Sequence, residues 1–285
     1  MSARRGLSVA LLGIDNAGKS TLARALHEEI SHRGIVSKLV GWRDYLATPT
    51  DRTCPYPRRD LEQLWVQKWS LLVGGSCSPS GAPTQIPRTF KEFWEGKEEL
   101  MLNGAALEGV HASGPAAAAW LELAATVLLQ AEHIEPQLRA GSIIIQESFG
   151  FKQAVKELIM ARELSSAGHF DTSLTEHIDT LMMIFGSKFL QPDIGVFVQC
   201  PPRLACSWRM GQSGEFGILE DLTVAGQKGE AGFLRLQEAC DQVFEAAARR
   251  WGWSILQVDG RPLAEAVRFG LDHVLSSQRL RAWLE

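Results

Sequence analysis

Eight consecutive residues, Gly13-Ile14-Asp15-Asn16-Ala17-Gly18-Lys19-Ser20, match the pattern G-x-x-x-x-G-K-[ST], in which a glycine-bearing loop wraps a polyphosphate. The chemistry demands these residue types. Glycines let the backbone bend so that successive N–H groups converge on phosphate oxygens, with the positive end of a following helix behind them. Lys19 would then reach the β- and γ-phosphates, and Ser20 would supply a hydroxyl to the Mg²⁺ that bridges them. Gly13, Asn16, Ala17, Gly18, Lys19, Ser20 and Thr21 are the expected triphosphate-binding residues.

A loop of this kind works only between a strand and a helix, and the flanks have that character. Leu7-Ser8-Val9-Ala10-Leu11-Leu12 is short, apolar and bounded by glycine, as a buried parallel strand should be. From Thr21 to Ile30, Leu22, Leu26 and Ile30 fall on one helical face. Further apolar runs follow at Ile35–Val40, Ser142–Gln146, Ile194–Val198 and Ser254–Val258. Helical patterns separate them at Ala116–Leu138, Gln153–Leu164, Ser173 to about Phe189, and Gly232–Arg250. This alternation predicts an α/β fold with a five-stranded parallel sheet flanked by helices, in a single domain spanning residues 1–285.

Two stretches break the pattern. Gly74–Gly114 is turn-rich and reads as an insertion or cap, with a short helix at Phe90–Leu102; it lacks the apolar periodicity for a core of its own. Met210–Gly229 holds five glycines between two helices, which suits a mobile lid or an ordinary surface loop; the phosphate loop favours the lid.

Bulk properties narrow the function. The 285 residues are 45% apolar and 22% charged, with a net charge of −4 and no cationic block beyond isolated pairs, which argues against nucleic acid as the partner. No apolar stretch is long enough to cross a bilayer, Glu122 interrupting the nearest. Five cysteines without C-x-x-C spacing fit reduced thiols in the cytoplasm. Trp65 and Trp69, four apart, read as core.

These residues resemble the thymidylate kinase family of P-loop nucleotide kinases. The loop through Thr21 is similar to that family's G-[IV]-D-x-A-G-K-S-T, and Trp42-Arg43-Asp44 stands where the family has T-R-E. Pro192-Asp193 and Pro201-Pro202-Arg203-Leu204-Ala205, with Arg209 beyond, resemble the approach to the lid, and Val258-Asp259-Gly260 the end of the last strand. The resemblance implies a three-layer P-loop kinase fold, ATP and Mg²⁺ as ligands, and a small-molecule phosphate acceptor, and it leaves a homodimer open. It touches all five strands and skips 51–114. The departures lie on the acceptor side. The family's D-R-[YFH] reads Glu147-Ser148-Phe149, its substrate-binding arginine falls near Thr126, and no arginine cluster lies between Arg209 and Lys228.

The expected roles follow. Glu147, at a strand's carboxyl end, would hold a Mg²⁺-bound water for a phosphate acceptor or serve as general base for a hydroxyl acceptor; a helix-capping carboxylate is the alternative. Arg209, with Lys228 second, would be the lid cation, or else a solvated helix residue. By resemblance Asp15 would contact a sugar hydroxyl, with hydrogen bonding inside the loop as the alternative, and Phe149 the substrate. Arg43 is a candidate acceptor-phosphate ligand or a solvated strand end. Glu122, Thr126, Gln130 and His133 form one helical stripe. It is the solvent face or, by resemblance, the acceptor pocket, where Thr126 and Gln130 would read a neutral polar group. Three readings remain: a nucleoside monophosphate kinase, a kinase for a nucleoside or other hydroxyl acceptor, and a nucleotide-binding switch.

Overall fold

Runs such as Ile143-Ile144-Ile145 are branched at Cβ and apolar on both sides, so they are most stable inside a sheet covered on both faces. The computed structural model describes residues 4–47, 58–73, 87–95, 110–165 and 170–285, and the expected strands are there. β1 (Ser8–Leu12), β2 (Ser37–Val40), β3 (Ile143–Gln146), β4 (Ile194–Gln199) and β5 (Ser254–Gln257) form one sheet in the order β2-β3-β1-β4-β5. Every pairing is parallel, with Val9 opposite Ile145 on one side and Ile194 on the other. β1 is buried along its whole length, which places the loop that follows it at the centre of the sheet's carboxyl edge.

Parallel neighbours require crossovers, and helices supply them. After β1 comes α1 (Lys19–His32), whose Leu22, Leu26 and Ile30 are buried. Then follow α2 (Trp42–Ala47), α3 (Arg58–Val73), a helical stretch α4 over residues 90–95, and α5 (Ser113–Leu129). A π-helical turn, Gln130–Ile134, joins α5 to α6 (Glu135–Arg139), where the sequence predicts one uninterrupted helix. Pro136 has no N–H to give the carbonyl four residues earlier, and its ring crowds that carbonyl; the turn widens, and Glu135 N–H bonds Gln130 O instead. The remaining helices are α7 (Phe151–Leu164), α8 (Phe170–Phe185), α9 (Pro202–Ser213), α10 (Glu230–Trp251), α11 (Leu263–Leu275) and α12 (Gln278–Leu284). α7 is the hub of its layer, packing against α5, α8 and α10, while α1 packs against α11.

Among the described residues two apolar clusters hold these layers. The main one surrounds β1, β3 and β4. It includes an aromatic group in which Phe149 lies 5.3 Å from Phe185 and 5.2 Å from Trp253 between ring centroids. The smaller one packs Val40, Trp42, Leu46, Leu61 and Leu129 at the β2 edge. Trp69 is buried against Phe93 (5.1 Å), and Trp65 meets Trp42 edge-on (4.9 Å), so both tryptophans are packing residues as expected. Most of the insertion expected at 74–114 lies outside the described residues; of its helix, 90–95 is described and helical. No helix of the described residues is long and apolar enough to cross a membrane.

The glycine-bearing segment 210–229 is folded back on itself. Its first four residues complete α9, Ile218, Leu222 and Val224 are buried, and Phe216 stacks on Phe233 of α10 at 4.7 Å. The Asp221 carboxylate pins both ends of the turn, accepting from Thr223 N (2.9 Å) and Gly229 N (2.7 Å).

Candidate functional site

The loop after β1 has the backbone that its composition calls for. Gly13 has φ +155°, and a Cβ there would lie 2.5 Å from the Val198 carbonyl oxygen; Gly18 has φ +84°. Asn16 is the one described non-glycine residue with positive φ (+59°), a conformation asparagine tolerates better than most. α1 starts at Lys19 with no side chain capping its first turn, so its leading N–H groups face the loop's concavity. Ala17 is buried beneath the loop and Thr21 is half-buried on α1. The Asn16 side-chain amide is a buried donor with no partner among the described residues. A buried orphan donor in a glycine-turned cradle fits an anion such as a phosphate.

Lys19 is buried and its ammonium donates to Ile14 O at 2.5 Å, folded against the loop. Burial pushes its pKa down. Repulsion from Lys152 and Lys156 adds to that, against the pull of Asp15 and Glu147. The Ser20 hydroxyl donates to Glu147 Oε1 at 2.7 Å. This joins the start of α1 to the carboxyl end of β3 and puts the two expected metal-site residues side by side. A hydroxyl with a carboxylate is a hard oxygen donor set suited to Mg²⁺. Among the described residues no cluster of three histidine, cysteine or acidic side chains offers another metal site.

Asp15 corrects the sequence reading. Its carboxylate does not project toward an open acceptor side. Oδ1 receives Lys152 at 2.5 Å, and Oδ2 receives Lys156 at 2.7 Å and Gln237 Nε2 at 2.9 Å. Its own N–H donates to Gln237 Oε1 at 3.0 Å. Burial alone would raise this carboxyl's pKa, but the ammonium groups of Lys152, Lys156 and Lys19 outweigh it and hold the pKa far below the usual range. Phe149 is a second correction. It is 1% exposed and lies inside the aromatic group, its N–H bonded to Leu11 O at 3.0 Å; Glu147 stays at the sheet edge while Phe149 turns into the core.

The helical stripe faces inward, contrary to the solvent-face reading, since Glu122 and Gln130 are buried. Thr126 donates to Glu122 O at 2.8 Å and packs on Gly150, where a Cβ would come 2.2 Å from its hydroxyl oxygen. It therefore supports the β3–α7 turn beside Glu147. The His133 ring lies 4.4 Å from that of Tyr45. Arg43 falls on α2, beyond β2, and its side chain lies outside the described residues. Arg209 Nε sits 2.6 Å from Glu220 Oε2, an ion contact that lacks hydrogen-bond alignment, and Lys228 is exposed beyond the Asp221 turn.

Sequence reasoning missed a second buried charge group. Lys68 of α3 pairs with Glu122 of α5 and, at 2.8 Å, with Glu157 of α7; Gln153 donates to Glu157 Oε1 at 3.0 Å, and Oε2 has no partner among the described residues. Two carboxylates share one ammonium. Burial pushes the Glu157 carboxyl up to about 7 and Glu122 adds to this, against the pull of Lys68. A folded-state pKa above the ordinary value of 4.5 means stability that is full below pH 4.5 and lost as pH rises through about 7. Glu157→Gln should remove that loss, so the variant should gain on the wild type by up to about 3 kcal/mol between pH 4.5 and 7.5. Denaturant melts of both proteins at the two pH values test this, and a stability difference that does not change with pH would refute it.

No protein-family model matches the chain, and neither does any curated protein. Among solved structures, thymidylate kinase from Candida albicans aligns over 99% of this chain and 94% of its own, with TM-score 0.57 and 17% identity. Deoxyadenosine kinase from M. mycoides, solved with dATP bound, aligns over 95% of this chain and 100% of its own, with TM-score 0.47 and 11% identity. The strand order, the helices flanking the parallel sheet and the first of these alignments agree that the chain has the P-loop kinase fold of thymidylate kinase.

Proposed function

We propose that this chain is an ATP–Mg²⁺-dependent phosphotransferase that passes the γ-phosphoryl group of ATP to a nucleoside monophosphate. The observation that carries the reading is the join at the centre of the sheet edge. There an uncapped helix start, the orphan Asn16 amide and the Lys19 ammonium sit beside a Ser20–Glu147 pair. Each suits one part of the chemistry. The loop amides and Asn16 would grip the phosphates, Lys19 would move from Ile14 O to the β- and γ-phosphate oxygens, and Ser20 and Glu147 would hold the metal. Bound there, Mg²⁺ would neutralise charge on the β- and γ-phosphates. An oxygen of the acceptor phosphate bonds to the γ-phosphorus as the bond to the β–γ bridging oxygen breaks, and ADP leaves with that oxygen. Arg209 becomes available to the transferred group when its contact with Glu220 opens.

The second reading keeps the donor and changes the acceptor to a hydroxyl. Ser148 and Thr126 stand where the resemblance leads one to expect arginines, and Asp15 is occupied by lysines, which favours it. The ammonium groups of Lys152 and the buried Lys156, gathered on Asp15 beside the loop, favour the first, because they would attract an acceptor phosphate. ADP release with Mg²⁺ across a panel of nucleoside monophosphates and nucleosides separates the two. Turnover with monophosphates alone is the expected result, turnover with nucleosides alone reverses the choice, and ATP binding with no transfer leaves a nucleotide-binding switch.

A further inference from the structure

Gln237 stands fully buried on α10, among the core residues Phe233, Leu236 and Cys240. A primary amide in such a place must find partners for its donors and its acceptor. Oε1 accepts from Asp15 N–H of the phosphate loop at 3.0 Å. Nε2 donates to Asp15 Oδ2 at 2.9 Å and to Glu220 O at 2.9 Å, which uses both of its hydrogens. These partners fix which end of the amide is which, because the carboxylate and the carbonyl only accept and the backbone amide only donates. They also select the residue type. A glutamate here would face two acceptors, and an apolar side chain would strand the loop N–H and the Glu220 carbonyl. Glu220 Oε2 in turn accepts from Gly217 N at 3.0 Å and contacts Arg209 Nε at 2.6 Å. We infer that Gln237 is the positioning residue that ties the phosphate loop to the Arg209–Glu220 pair, so that what occupies the loop and the hold on Arg209 are linked.

Both ends of this join are firm. On the loop side Gln237 holds the backbone and the side chain of Asp15, the residue before the positive-φ Asn16 with its unpartnered amide. A shift of the loop is therefore passed to the amide at two points. On the other side it holds the Glu220 main chain, and the next carboxylate, Asp221, accepts from Gly229 N at the head of α10. The Glu220 turn is thus pinned to α10 twice and cannot slide along it without stretching one of these bonds. A second route joins the same groups through space. Lys152 donates to Asp15 and feels the Glu220 carboxylate, so charge alone would link the loop to the pair with or without the amide. The two routes differ in what removing the Gln237 hydrogen bonds does to the link.

This inference rests on the phosphotransferase reading, and its test keeps the two apart. Linkage is reciprocal, so the state of the Arg209–Glu220 pair must show in the affinity of the loop. ATP–Mg²⁺ affinity is measured without acceptor on the full chain, on Glu220→Gln, on Gln237→Met and on the double variant. Glu220→Gln removes the charge that holds Arg209 and keeps an oxygen for Gly217 N–H. Gln237→Met keeps the volume and removes all three hydrogen bonds. Gln237→Glu is run beside it, since it still accepts from Asp15 N–H but as a carboxylate offers no hydrogen to Glu220 O. Thermal melts verify that each variant folds. The effect of Glu220→Gln on affinity should differ ~5-fold between the wild-type background and either Gln237 variant, the size expected of coupled neighbours. A merely structural Gln237 would change affinity or melting equally whichever residue stands at 220, and a through-space link would survive its replacement. Effects that combine within about 2-fold of additivity overturn the role of Gln237 and leave the phosphotransferase reading standing. A wild type that does not bind ATP–Mg²⁺ overturns that reading and this inference with it.

Discussion

Replacing Lys19 with alanine should abolish ATP-dependent transfer without weakening the nucleotide-free fold. The loss in kcat/KM should be on the order of 10³-fold or more, about 4 kcal/mol of transition-state stabilisation, as for other preorganised charges. Stability should move the other way. In the nucleotide-free protein Lys19 is a buried ammonium bonded to one carbonyl, attracted by Asp15 and Glu147 and repelled by Lys152 and Lys156, so removing it relieves burial and repulsion and takes no hydrogen bond from a carboxylate. Asp15 keeps its three other donors. The decisive measurement is therefore the nucleotide-induced rise in thermal stability. At an ATP concentration 100 times its Kd the wild type should gain about 2.7 kcal/mol, and Lys19→Ala should gain almost nothing while melting no lower than the wild type in its absence. An equal gain from ATP in both proteins would remove the donor site assigned to the Gly13–Ser20 loop.

All five strands and the loop could be read along the chain because their signals are local. Apolar β-branched runs bounded by glycine specify buried parallel strands, and the loop's glycines are needed for the turn they make. Helices with a mixed pattern were harder. α11 and α12 went unread although α11 is amphipathic; several of their apolar residues, Leu263 and Phe269 among them, are exposed, so burial does not follow the pattern. The interruption between α5 and α6 is a backbone response to Pro136 that helical periodicity does not register.

The site was legible only in its donor half, for a physical reason. Ser20 and Glu147 are 127 residues apart, yet each sits at the end of an element whose place in the sheet follows from the pattern. Asp15 was misread because its partners Lys152, Lys156 and Gln237 lie 137, 141 and 222 residues away on helix positions that look solvated in one dimension. Periodicity groups Glu122, Thr126 and Gln130 on one face without saying that α3 and α7 cover it. A lysine pair four residues apart, one turn after a strand-end carboxylate, was the signal that went unused.

Glu147→Gln should divide the two acceptor chemistries. The glutamine oxygen can still accept from the Ser20 hydroxyl, as Glu147 Oε1 does at 2.7 Å, so the join between β3 and α1 should survive and the variant should fold. What it loses is a negative charge next to the metal site and a base next to the acceptor. With a nucleoside monophosphate the attacking oxygen is already anionic and needs no base. The loss should then come through weaker Mg²⁺ retention, with kcat falling ~10-fold and recovering as Mg²⁺ is raised. With a hydroxyl acceptor the proton must leave as the oxygen attacks, and removing the base should lower kcat by ~10²–10⁴-fold at any Mg²⁺ concentration. The readout is kcat against Mg²⁺ for whichever acceptor turns over. A fall that Mg²⁺ restores assigns Glu147 to the metal, and a fall that it does not restore assigns it to the proton. No fall under either condition would leave Glu147 a helix-capping carboxylate.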